Sequence, residues 1–165
     1  MTPELASQLE ALRSVGWKIA RLDRNAPLPS TVAQRYAWAP RGVMDFVAGI
    51  GEAMSPDDKA WILSAADYAG TSEKAFAWNE WELIELSAAE DDDSWKSEVT
   101  HFWDQHLPIL MSLKDGYAYF AIEQTNNTVV VGEEPEFEET TPLAASLSEL
   151  LEMIAARSRL VERWL

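Results

Sequence analysis

The sequence predicts a single α+β domain, a curved and mostly antiparallel sheet backed by helices from both ends of the chain. Three observations carry that prediction. First, two apolar runs, Leu107-Pro108-Ile109-Leu110-Met111-Ser112-Leu113 and Tyr117-Ala118-Tyr119-Phe120-Ala121-Ile122-Glu123, flank Lys114-Asp115-Gly116, where Asp-Gly supplies the positive backbone angles of a tight hairpin. Second, Asn126-Asn127 and the β-branched run Thr128-Val129-Val130-Val131 follow at once, which extends the hairpin to a three-stranded meander. Third, capped amphipathic segments stand at the beginning and the end, and no repeat or long linker divides residues 1–165. A chain of this length buries about 68 to 70% of its unfolded surface, enough for one core.

In chain order, Thr2 caps a helix with Pro3 at its first position, and Leu5, Leu9, Leu12 and Val15 recur at helical steps until Gly16. Trp17 to Leu22 reads as a strand or a connecting loop. Pro27-Leu28-Pro29 interrupts, Ser30 offers a cap, and a second helix is expected from Thr31 to Trp38. After Pro40-Arg41-Gly42, the apolar run Val43 to Ala48 is expected to form the first strand, bounded by Gly49 and Gly51. Ser55-Pro56-Asp57-Asp58 has the makeup of a helix start: a serine cap, proline at the first position, and two acids on the positive end of the dipole. Trp61-Ile62-Leu63 continues that helix or opens a strand through Ser64 to Tyr68, and Gly70 closes the segment. Thr71 to Glu82 is a loop or short helix. Glu90 to Asp93 is a solvated turn leading into a helix that carries Trp95, Val99, Phe102 and Trp103 at helical spacing. The last helix starts at Ser146 or Pro142, presents Leu147, Leu150, Leu151 and Ile154 on one side, and is expected to extend through Arg157 and Arg159 to Trp164.

Charge narrows the function classes. Thirteen basic against 28 acidic side chains leave a net charge of −15. Nucleic-acid binding relies on clustered Lys and Arg that release counterions, whereas here the cations are scattered among acids, so neither nucleic acid nor an anionic membrane surface is an expected partner. The absence of cysteine excludes disulfides and thiolate chemistry and fits a reducing compartment. Met1-Thr2-Pro3-Glu4-Leu5 has neither a basic start nor an apolar run, which points to the cytoplasm.

The motifs of catalysis are not found. His101 and His106 are five apart, and on one helix they would point about 140° away from each other, whereas zinc ligation from a helix uses steps of three or four. No serine elbow, phosphate loop or dinucleotide fingerprint occurs. No enzyme, cofactor or metal is therefore expected. Eight tryptophans suit core and rim packing, and any that prove exposed and contiguous would mark an interface.

The acidic passages are the candidate partner-binding surface: Glu90, Asp91, Asp92 and Asp93, and then Glu133, Glu134, Glu136, Phe137, Glu138 and Glu139, a stretch that reads as a loop. Glutamates around one phenylalanine have the composition of a steering rim with an apolar anchor, and complementary charge accelerates association. Four segments in order, Leu28-Pro29 ahead of a short helix, Gly116 to Ile122, Gly132 to Glu139, and Ala145-Ser146-Leu147-Ser148-Glu149-Leu150-Leu151, make the chain resemble the SUKH superfamily. Ala37 to Gly42 departs from the asparagine-glycine pair that the family often shows after its Leu-Pro helix. The resemblance implies a curved mixed sheet backed by helices and a role in protein binding. The function it implies is that of an immunity protein neutralising a cognate bacterial toxin, of which a basic nuclease is the natural example. The alternatives are a housekeeping regulatory scaffold for an endogenous protein and, further off, a small-molecule binder or hydrolase.

Overall fold

A computed structural model describes residues 2–165. Seven strands run in sequence order across one open sheet: β1 (Lys18–Arg21), β2 (Ile50–Met54), β3 (Ala60–Ile62), β4 (His106–Ser112), β5 (Ala118–Glu123), β6 (Val129–Glu133) and β7 (Glu136–Ala144). Every pair of neighbouring strands is antiparallel, so the mixed sheet implied by the family likeness gives way to a simple meander. The helices are α1 (Pro3–Ser14), α2 (Ser30–Arg35), α3 (Arg41–Gly49), α4 (Ala65–Tyr68), α5 (Glu80–Ala88), α6 (Asp93–Asp104) and α7 (Leu147–Ala155). The predicted α+β class, with helices from both ends of the chain, is the observed one.

The central strands are buried on both faces, and side-chain alternation divides them between two layers. Tyr119 packs on Trp103 of α6 at 4.7 Å, while its neighbour Phe120 meets Trp164 of the C-terminal segment at 5.8 Å. Opposite Tyr119 in the register stands Gly132. A Cβ there would lie 2.5 Å from the tyrosine ring, so only glycine admits this crossing. Pro108 sits inside β4, where a bulge follows it and the freed carbonyl accepts the Tyr68 hydroxyl.

Five expectations are corrected. Val43 to Ala48 is not a strand but most of α3, because Val43, Phe46 and Val47 fall at steps of three and four and bury one helical stripe; β2 begins only at Ile50. Ser55-Pro56-Asp57-Asp58 starts no helix. Met54 pairs with Trp61, so the chain must reverse between them, and the capping groups serve the turn instead. Ser55 Oγ donates to Asp57 at 2.7 Å and accepts the Ala60 N–H at 2.9 Å, with Asp58 left-handed at φ 60°. Trp61 and Ile62 accordingly lie in β3, and Ser64 to Tyr68 is no strand: Ser64 and Asp67 form a capping box at α4. The last helix stops at Ala155 and does not reach Trp164. Arg157 at φ 50° occupies the left-handed position, with Arg157 N–H to Ile154 O (3.0 Å) and Ser158 N–H to Met153 O (2.9 Å), the two bonds of a Schellman ending. The second helix is also shorter than expected, and Ser30 is its first residue and makes no side-chain cap bond.

Candidate functional site

The two acidic passages are built differently. Glu90 turns left-handed at φ 45°, and Asp92 accepts the Trp95 N–H at 3.0 Å, so the first passage works as the cap of α6 while all four side chains stay exposed. The second passage is expected as a loop, yet the structure makes it the end of β6, a tight turn at Glu134-Pro135, and the beginning of β7. Glu133 is held by Arg163 at 3.0 Å and by the Trp164 indole N–H at 3.0 Å. Glu134 accepts the Tyr117 N–H at 3.1 Å. Glu136, Glu138 and Glu139 are exposed on β7, the outermost strand.

Phe137 is not the exposed anchor that its sequence setting suggests. Its ring is 4% exposed and stacks on Trp81 at 5.6 Å with the planes 9° apart, while its carbonyl accepts the Tyr119 hydroxyl at 2.6 Å. A strand that points Glu136 and Glu138 outward turns the residue between them inward. The solvent-facing ring of this region is Tyr117, which also stacks on Trp81, at 4.7 Å.

Sequence reasoning missed Glu85. On α5 it lies four on from Trp81 and three on from Glu82, helical steps that put two carboxyls on the buried side. Trp103 donates its indole N–H to Glu85 at 2.6 Å, and Glu138 hydrogen-bonds to it from β7. Burial first, and then the neighbouring Glu138, push the Glu85 carboxyl up to about 8, so at neutral pH the contact holds a proton. Glu82 has the opposite solution: Arg35 donates to both its oxygens at 2.8 and 2.7 Å and reaches Asp104 at 2.7 Å. Buried Asp67 is likewise paired with Lys74 at 2.7 Å.

The histidines separate between elements. His101 stays on α6 beside Gln105, while His106 opens β4, stacked on Phe102 at 4.0 Å, where burial lowers its affinity for a proton. Among the described residues no group of three or more His, Cys, Asp or Glu is placed to hold a metal, and no helix is long and apolar enough to cross a membrane. A cleft of about 340 Å³ lies between the end of α1, the β2–β3 turn and the C-terminal segment, lined by Trp17, Pro56, Lys114 and Val161; the Glu85–Glu138 contact is not part of it. Trp17, Trp61, Trp81 and Trp103 are buried, and Trp95 is exposed at 41%, so most of the tryptophan content is core and rim packing.

The fold and surface thus define an α+β domain with a carboxylate-rich outer strand. No protein-family model, curated protein or solved structure matches the chain.

Proposed function

We propose that the protein is a SUKH-like protein-binding module, an immunity protein that neutralises a cognate bacterial toxin by covering the surface the toxin uses. One observation carries this reading: Glu134, Glu136, Glu138 and Glu139 are exposed along the outer strand and its turn, and among the described residues none has a cation within ion-pair distance. Their backbone is fixed in advance, because β7 is held to β6 and anchored by Phe137 and Tyr119. A rigid run of carboxylates without a cation partner steers a basic partner and loses little entropy on docking. A basic nuclease domain fits such a run, and occlusion requires no chemistry from the inhibitor. Charges on an outer strand also block edge-to-edge pairing of sheets, and that explanation requires no partner at all.

The experiment is pull-down and growth rescue with toxins encoded beside the gene, followed by association kinetics of the captured pair. Replacing Glu136, Glu138 and Glu139 with glutamine should slow association roughly tenfold at low salt and flatten its salt dependence. Failure of every neighbouring toxin to bind overturns the immunity reading. An unchanged on-rate in the glutamine variant leaves β7 with edge protection only.

A further inference from the structure

The tip shared by the β4–β5 and β6–β7 hairpins carries two acid-and-aromatic settings, and one already holds an arginine. Arg163 sits between Asp115 at 3.1 Å and Glu133 at 3.0 Å, with its guanidinium 5.6 Å from the centre of the Trp164 ring. Two residues on from Asp115 and one on from Glu133, Tyr117 and Glu134 repeat that chemistry with no cation on the carboxylate among the described residues. Glu134 Oε1 is fixed by the Tyr117 N–H at 3.1 Å and lies 2.7 Å from where a Cβ on Gly116 would be, so glycine at φ 87° makes the room for it. Tyr117 is fixed as well: Trp81 covers one ring face at 4.7 Å, Phe76 meets it at 5.8 Å, and 37% of the residue remains exposed. An aromatic ring and a carboxylate, both pre-positioned and open to solvent, match a planar guanidinium, which stacks and forks at once, better than they match an ammonium.

We propose that Tyr117 and Glu134 form a receptor for an arginine side chain of the partner protein, the guanidinium packing on the exposed part of the Tyr117 ring and donating to the Glu134 carboxylate. This deepens the protein-binding reading above and rests on it for the identity of the partner. The chain's net charge of −15 favours a partner rich in such side chains.

The test is an NMR titration of the whole chain with short peptides alternating glycine with arginine, or glycine with lysine, at equal charge and salt. The arginine peptide should bind roughly tenfold more tightly, with shifts centred on Tyr117 and Glu134. Tyr117→Ala and Glu134→Gln should each bring it down to the lysine level, whereas Tyr117→Phe, which keeps the ring, should bind like the parent. Glu134→Gln keeps the acceptor for the Tyr117 N–H, so its effect reports charge alone. Equal binding of the two peptides, shifts spread evenly over Glu90 to Asp93 and β7, or no binding overturns the proposal. If a toxin is captured but Glu134→Gln binds it unchanged, the receptor fails while the immunity reading stands. If no toxin is captured and the arginine peptide still selects Tyr117, the immunity reading fails and the receptor stands.

Discussion

Replacing Glu85 with glutamine should change how stability depends on pH. Glu85 is 7% exposed, and its carboxyl titrates near 8 in the fold against about 4.5 in the unfolded chain. Between those values the folded state holds a proton that the unfolded state has lost, so stability must fall as pH rises, and it levels off once the folded carboxyl also ionises. Each pH unit in that window is worth about 1.4 kcal/mol, so the interval from pH 6.5 to 8 accounts for about 2 kcal/mol. Buried His106 acts with the opposite sign below its ordinary value, where the unfolded chain binds the extra proton, which is why the comparison starts at pH 6.5. Glutamine keeps an oxygen for the Trp103 N–H and a donor for the Glu138 carboxylate, and it does not titrate. Urea unfolding followed by tryptophan fluorescence should show Glu85→Gln more stable than the parent throughout this interval, with its advantage growing by about 2 kcal/mol from pH 6.5 to pH 8. Repulsion within a strongly acidic chain grows with pH in both proteins and cancels in the difference. Parallel stability curves for the two proteins across this interval would refute the shared proton.

Three further substitutions probe the packing beneath the outer strand and the weight of buried against exposed ion pairs. Gly132→Ala pushes a methyl group against the Tyr119 ring and should cost about 1 to 3 kcal/mol in chemical denaturation; a neutral result would mean that Tyr119 does not cross β6 as described. Arg35→Ala strands Glu82, whose side chain is 6% exposed, and should cost about 3 kcal/mol, whereas Lys18→Ala at the exposed pair with Asp58 should cost less than about 1 kcal/mol; similar losses from the two would contradict the burial of the Arg35–Glu82 contact.

Local chemistry determined the elements whose signals agree with one another. Thr2 and Pro3 open α1, Asp92 caps α6, and Ser146 caps α7 by accepting the Glu149 N–H at 3.2 Å, because a cap needs only residues three apart in the chain. Asp115-Gly116 and Asn126-Asn127 set the meander for the same reason, with Gly116 at φ 87° and Asn127 at φ 56°. The class, and the three strands β4, β5 and β6 of the central meander, were therefore contained in the residues themselves. Where one set of side chains serves two structures, only the tertiary arrangement decided. Ser55 and Asp57 cap helices and close turns with the same oxygens, and the pairing of Met54 with Trp61 selected the turn. Val43 to Ala48 is apolar enough for a strand, and its burial as one stripe of α3 depended on what lay beneath it. Phe137 turned inward because β7 paired with β6, and Glu85 met Glu138 although 53 positions separate them in the chain, 138 − 85. Contacts between distant segments form through burial and sheet pairing, and burial is a property of the whole domain that no window of sequence contains.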